Sequence, residues 1–263
     1  MRLTWATDIH LDHATPAARA EFHQELARRA APVVLTGDLA DAATLEPLLL
    51  ELAAAVDQPV RFVLGNHDFY GGSVADVRAR AAALRDRDAR LQWLPAAGLV
   101  RLDEDTLLVG HDGWCDGRFG DWAGSKVLLN DYLQIRDLAE AHLHKPTLLA
   151  RIQSLAAEAA AYLADILPRA LAAAARVVVA THVPPFREAC WHEGQISDDD
   201  WLPHFSSRVV GEALLAAADA FPSREMLVLC GHTHGAGVTR PRENLAVVTG
   251  GAAYGRPWPQ DGF

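Results

Sequence analysis

Short runs of branched and aliphatic residues alternate with longer stretches of helical period along the first third of the chain. Each run stops at Gly, Asp, Asn or His. Residues 3–7, 32–36 and 60–64 read as strands. Thr15-Pro16 opens a helix reaching residue 30, with proline at a tolerated first-turn position. Asp41 reads as the N-cap of a helix over 42–56, and an Ala/Arg-rich helix covers 73–87. Strand–helix alternation predicts parallel strands with helices packed outside. In such sheets functional residues lie beyond the carboxyl ends of the strands.

The middle has a different rhythm. Segments 91–94, 99–102 and 106–109 read as short strands of more antiparallel character. They lead into Gly110-His111-Asp112-Gly113-Trp114, the start of a long loop mixing glycine, aromatics and charge. Loops of this kind are often functional. An alanine-rich helix is expected over 147–175, kinked or split at Pro168. A strand over 176–180, a polar loop from 187, a helix over 207–221 and strands over 226–230 and 244–249 follow. The Pro/Gly-rich tail from 250 reads as irregular. No repeat or linker interrupts the chain. The expectation is one domain over 1–263, with an insertion around 110–146 that walls the substrate site.

Composition narrows the choices. The chain has 263 residues, 50% of them hydrophobic, which suits one large α/β domain. Its 24 Lys+Arg against 34 Asp+Glu give a formal charge of −10. Such a protein has no general attraction for nucleic acid or an anionic membrane. A phosphate would need a local positive feature, and bound metal ions would supply one. The only lysines are Lys126 and Lys145. The three cysteines, Cys115, Cys190 and Cys230, are widely spaced and form no C-x-x-C, which fits a reducing compartment. No signal peptide is evident. Arg176 interrupts the best membrane-span candidate, 163–183. A cytoplasmic protein is expected.

The chemistry gathers at strand ends. Asp8-Ile9-His10, Gly37-Asp38, Gly65-Asn66-His67-Asp68, Thr181-His182 and Gly231-His232-Thr233-His234 each follow an apolar run. Asp and His together suit borderline metals such as manganese, iron and zinc. Two ions roughly 3.5–4 Å apart can clamp the attacking and leaving oxygens of a phosphoryl displacement. As simple N-caps, Asp8 and Asp38 would not require the histidine two residues after Asp8. Asn66 after glycine could be a turn residue, and His182 an exposed loop histidine. Asp41 reads as a cap. His13, His23, His142, His144, His192 and His204 lack motif support and read as solvated surface.

In this order and spacing, Asp8-x-His10, Gly37-Asp38-x-x-Asp41, Gly65-Asn66-His67-Asp68, Thr181-His182 and Gly231-His232-x-His234 resemble the calcineurin-like metallophosphoesterases. The resemblance spans residues 8–234. It implies a four-layer α/β fold, a β-sandwich of two mixed sheets flanked by helices. It also implies two metal ions, manganese or iron first, with zinc as an alternative. Asp8, His10 and His234 would bind one ion, Asn66, His182 and His232 the other, and Asp38 would bridge them. His67 would protonate the leaving oxygen or stabilise the transition state, with Asp68 orienting it. The implied nucleophile is a hydroxide shared by the two metals.

His111 or Arg118 on the long loop is a candidate substrate contact, the alternative being a loop held by its own packing and hydrogen bonds, and Arg187 beyond Pro185-Phe186 is a candidate phosphate contact. The function expected is hydrolysis of phosphate esters, as phosphatase or phosphodiesterase. The acidic balance favours a small-molecule substrate and no membrane partner. A nuclease with a local arginine groove, a non-catalytic metal-binding scaffold and a metal-free phosphate-binding module are the alternatives.

Overall fold

The computed structural model describes residues 3–261. β1 (Thr4–Ala6), α1 (Pro16–Arg29), β2 (Val33–Thr36), α2 (Leu45–Ala55), β3 (Val60–Val63), α3 (Val74–Arg87) and β4 (Leu91–Trp93) form the first half. Then come α4 (Leu94–Ala97), β5 (Val100–Arg101), β6 (Thr106–Gly110), α5 (Asp131–Gln134), α6 (Arg136–Ala139) and α7 (Lys145–Ala173). The chain continues with β7 (Arg176–Ala180), β8 (Trp191–His192), β9 (Gln195–Ile196), α8 (Leu202–Phe205), α9 (Arg208–Ala220), β10 (Glu225–Cys230), β11 (Gly237–Arg242) and β12 (Leu245–Thr249).

Two sheets stack face to face. One has the order β1-β2-β3-β4 and the other β11-β12-β10-β7-β6-β5. The two-residue side-chain period of a strand divides each sheet between two cores. Val34, Val63, Leu108, Val178 and Leu229 point inward and fill the space between the sheets. Their neighbours Val33, Leu35 and Phe62 pack against α1, α2 and α3. Leu107, Val109, Val177, Val179 and Val228 pack against α7 and α9. The result is four layers, helix–sheet–sheet–helix, with both sheets mixed or parallel and covered on both faces.

Several elements depart from the sequence expectations. β4 pairs parallel with β3, and β6 parallel with β7; among the described residues antiparallel pairing is confined to β5–β6, β8–β9 and β11–β12. α7 runs unbroken through Pro168. Proline there removes one backbone bond, but Leu163, Ile166, Leu167 and Leu171 are fully or nearly buried around it and hold the helix in line. α2 begins at Leu45, three residues later than expected. Asp41 caps a preceding turn instead, accepting from Thr44 N at 2.9 Å and from the Thr44 hydroxyl at 2.5 Å. β11 was not apparent in the sequence; it carries Pro241 and a bulge, both tolerated on an edge strand.

The carboxyl ends of β1, β2, β3, β7 and β10 come together at one rim of the sandwich. Asp8 N donates to Gly37 O at 3.0 Å, His10 N to Asp38 O at 3.0 Å and Gly231 N to His182 O at 2.9 Å. Asp112, just past β6, accepts from Leu64 N at 2.8 Å and from Arg78 Nε at 2.9 Å. It thereby ties the second sheet to the first beneath the rim. No described helix is long and apolar enough to cross a membrane.

Leu214 of α9 is fully buried in the core shared with α7. Leu214→Ala is expected to lower the unfolding free energy by about 2–5 kcal/mol in urea titrations, with the rim chemistry of the folded fraction unchanged.

Candidate metal centre

Two glycines make the rim possible. A Cβ on Gly65 would lie 2.2 Å from Asp38 Oδ1, and one on Gly231 2.0 Å from Asp8 Oδ2. Backbone strain is concentrated in the same place. Seven described non-glycine residues have positive φ, and five of them are Asp8, His10, Asp38, His232 and His234. Such conformations cost on the order of 1–3 kcal/mol each and persist where surrounding structure enforces them.

Asp8, His10, Asp38 and His234 offer ligand atoms that all lie within 4.8 Å of one another. His10 Nε2 is 3.3 Å from His234 Nε2 and 3.8 Å from Asp38 Oδ2, and His234 Nε2 is 3.4 Å from Asp8 Oδ1. Asp8 also accepts from the Thr7 hydroxyl at 2.6 Å and from His232 N at 2.9 Å.

A second cluster lies on the other side of Asp38. His182 Nδ1 is 2.8 Å from Thr36 O, and His232 Nε2 is 3.2 Å from His204 O. A carbonyl can only accept, so those nitrogens carry the protons. The opposite nitrogens are left with bare lone pairs. His182 Nε2 lies 3.0 Å from Asn66 Oδ1 and 3.3 Å from Asp38 Oδ1, and His232 Nδ1 lies 2.9 Å from Asn66 Oδ1. The Asn66 amide cannot flip to relieve this. Its Nδ2 donates to Asp131 Oδ1 at 2.8 Å and to the Tyr70 hydroxyl oxygen at 3.3 Å. Acceptor faces acceptor in this second cluster, the first crowds two carboxylates and two imidazoles, and a cation at each would satisfy them. The donor set therefore fits two metal ions of the borderline class.

Electrostatics agrees. Burial lowers the His10 pKa to about 2 and that of His232 to about 3, so both imidazoles are neutral, the form that binds metal. Burial, with the charges of Asp8 and Asp68, pushes Asp38 well above the usual carboxylate range. Burial also acts to raise Asp8, but its His234 hydrogen bond and the nearby histidines hold it below that range.

His67 opens a short 3-10 turn (His67–Phe69) at the mouth. Its N–H donates to Asp38 Oδ1 at 2.9 Å, and its Nε2 lies 3.9 Å from Asp38 Oδ2 and 3.4 Å from the Tyr254 hydroxyl. Burial, then the charge of His182, lowers its pKa to about 3. Asp68 does not orient the His67 ring. Its fully buried carboxylate accepts from Leu39 N at 2.8 Å, Ala40 N at 2.9 Å and Gly65 N at 2.7 Å, because the turn aims consecutive side chains apart. Asp68 pins the β2 loop to the β3 loop.

A cleft of about 230 Å³ opens over the two clusters, with Tyr70, Leu129, Phe205 and Tyr254 among its walls. His111, Arg118 and Arg187 are not among the lining residues. His111 continues the outward alternation of β6, is buried and lies against Tyr162 of α7 at 5.2 Å. Arg118 lies 3.8 Å from Asp116, and Arg187 2.7 Å from Asp199, both on exposed surface.

The sequence reading missed Asp131, Tyr70, Tyr254 and His204. His204 is buried, not solvated, as is His23. The His204 ring accepts from the Tyr132 hydroxyl at 2.6 Å and donates to Ser125 Oγ at 3.1 Å, while its carbonyl fixes His232. The only sequence signal for these residues was their place in loops beside the motifs.

The chain belongs to the calcineurin-like phosphoesterase family, whose model matches residues 1–236. It is thus a hydrolase acting on phosphoester bonds. Solved structures share the fold. The phosphopantetheinyl hydrolase PptH from Mycobacterium tuberculosis aligns at 15% identity and TM-score 0.67, covering 97% of this chain and 90% of that one. A dimetal phosphatase from Danio rerio aligns at 14% identity and TM-score 0.58, covering 95% and 87%. GAP50, an anchor in the inner membrane complex of Plasmodium, aligns at 13% identity and TM-score 0.51, covering 95% and 71%. No curated protein matches.

Burial pushes the His204 pKa down to about 4 from its ordinary 6.5. The unfolded chain takes up a proton that the folded form resists. Stability from neutral His204 is therefore full above pH 6.5 and is lost as pH falls toward 4. Urea unfolding of metal-free protein is expected to show that decline, and His204→Asn a shallower one.

Proposed function

We propose that the protein hydrolyses small phosphate esters using two metal ions held on either side of Asp38. The observation that carries this reading is the pair of ligand-atom clusters that share Asp38. Asp8, His10 and His234 form one, Asn66, His182 and His232 the other, and Asp38 reaches both. When bound, the two ions would neutralise phosphoryl charge and activate a water for attack. Manganese and iron suit the mixed nitrogen and oxygen donors, as does zinc.

The chain's own residues do the rest. Thr7 and the His232 N–H hold Asp8 in its ligating pose. Asp131 and Tyr70 hold the Asn66 carbonyl oxygen toward the two histidines. His67, at the cleft mouth, gives a proton to the leaving oxygen; a phosphoryl anion beside its ring favours the imidazolium form. Tyr70, Leu129, Phe205 and Tyr254 exclude water from one side of the reacting group.

The cleft lining supports a small substrate. Among the described residues that line it, none is Arg or Lys, so one phosphoryl group has a place there and a row of phosphates does not. Leu129, Asn130 and Asp131 contribute part of the wall, which supports reading the segment around 110–146 as a substrate-wall insertion in a single domain. The buried free thiols of Cys115, Cys190 and Cys230 fit a reducing compartment such as the cytoplasm.

Metal-stripped protein reloaded with manganese should hydrolyse chromogenic phosphate mono- or diesters. Asp38→Asn and His67→Ala are each expected to lower kcat by about 100-fold or more, with only Asp38→Asn reducing metal content. Metal bound at two per chain without turnover of either ester class would contradict the proposal. Processive cleavage of long nucleic acid would favour the nuclease reading instead.

A further inference from the structure

The chain continues beyond the region matched by the family model. That match ends at residue 236, and the residues after β12 form an arm that carries Tyr254 into the cleft lining. β12 pairs parallel with β10 in a register that sets Thr249 opposite Cys230. The residues after Thr249 therefore leave the sheet at the same rim as His232 and His234. They obey the strand-end rule that places the other site residues.

The arm is fastened at several points. Gly250 N donates to Cys230 O at 2.9 Å and Ala252 N to His234 O at 3.2 Å. The Gln260 side chain brackets Gly251, accepting from its N–H at 3.1 Å and donating to its carbonyl at 2.9 Å. Gln260 N donates to Trp5 O at 2.7 Å, and Asp261 pairs with Arg29 at 2.8 Å. Gly255, at φ 76°, turns the chain away just after Tyr254.

These ties set the Tyr254 ring among histidines, with centroids 4.3 Å from His10, 5.1 Å from His234 and 6.0 Å from His67. Its hydroxyl is 3.4 Å from His67 Nε2, a long and weak contact. The residue is still 51% exposed, so the hydroxyl can reach a bound ligand. Two tyrosines line the cleft, and they are not equivalent. The Tyr70 hydroxyl is committed to Asp131 at 2.6 Å, whereas among the described residues that of Tyr254 has only the loose His67 contact. With no Arg or Lys among the lining residues, neutral donors must meet phosphoryl oxygens that the metals leave uncovered.

We propose that Tyr254 is a catalytic residue whose hydroxyl donates a hydrogen bond to an oxygen of the phosphoryl group under attack, and that the arm 250–261 places it there. The proposal rests on the phosphoesterase reading above.

Tyr254→Phe removes the hydroxyl and keeps the ring. In manganese-loaded protein it is expected to lower kcat about 10–100-fold, with KM changed less than about threefold and metal content as in wild type. Orthovanadate, a mimic of the five-coordinate phosphorus, is expected to bind the loaded variant at least about tenfold more weakly by calorimetry. Gln260→Ala, which loosens the arm outside the cleft, is expected to lower kcat in the same direction and to add little to Tyr254→Phe. Variant kcat and vanadate affinity within about twofold of wild type would overturn the proposal and leave the phosphoesterase reading standing. Lowered metal content in Tyr254→Phe would also overturn it, by making the residue a structural prop. Wild-type protein that binds metal yet hydrolyses no phosphate ester would overturn both.

Discussion

Asp8 and Asp38 are two buried carboxylates whose ligand oxygens lie within 4.8 Å. At an effective dielectric of 20, two unit charges at that separation repel by roughly 3 kcal/mol. Four imidazoles crowd the same carboxylates or the Asn66 carbonyl oxygen, and those of His182 and His232 aim bare lone pairs at them. The chain bends into left-handed backbone at five of these residues to hold them there. Ordinary packing would relax such an arrangement. Cations bound there would reverse the sign of the carboxylate repulsion and give the bare lone pairs a partner, turning repulsion and strain into preorganisation.

The rest of the fold supplies stiffness to that rim. β2 and β7 lie at or near the centres of their sheets, and their ends carry Asp38 and His182. Three apolar layers fix the sheets on each other and on their helices. Asp68 and Asp112, each accepting backbone N–H groups across strand ends, bind the loops together without reaching the cleft. Asn66 shows how far this extends. Its amide is turned by Asp131, 65 residues away in sequence, and Asp131 is held in turn by Tyr70.

What could be read from the sequence follows from this hierarchy. Strands such as Arg176–Ala180 announce themselves because a two-sided core needs an unbroken apolar run. The seven acceptor residues and His67 were visible because each follows such a run directly. Residues placed by tertiary contact were not. His204, Asp131 and Tyr254 come from two one-turn helices and an arm whose destinations depend on distant hydrogen bonds. The charged residues of the long loop misled, because a local sequence rich in Asp and Arg says nothing about which partner each side chain meets. Arg118 met the buried carboxylate of Asp116, and Arg187 the exposed one of Asp199. His111 kept the inward or outward sense dictated by β6. Pro168 misled for a related reason: its local penalty is real, but the packing around it is stronger.

The central claim is that Asp38 stands between two cation sites. Anomalous diffraction from crystals grown with manganese tests it most directly. The account predicts two anomalous peaks, about 3.5–4 Å apart, one beside Asp8, His10 and His234 and one beside Asn66, His182 and His232. A single peak, or none at saturating manganese with the rim side chains unmoved, would contradict it.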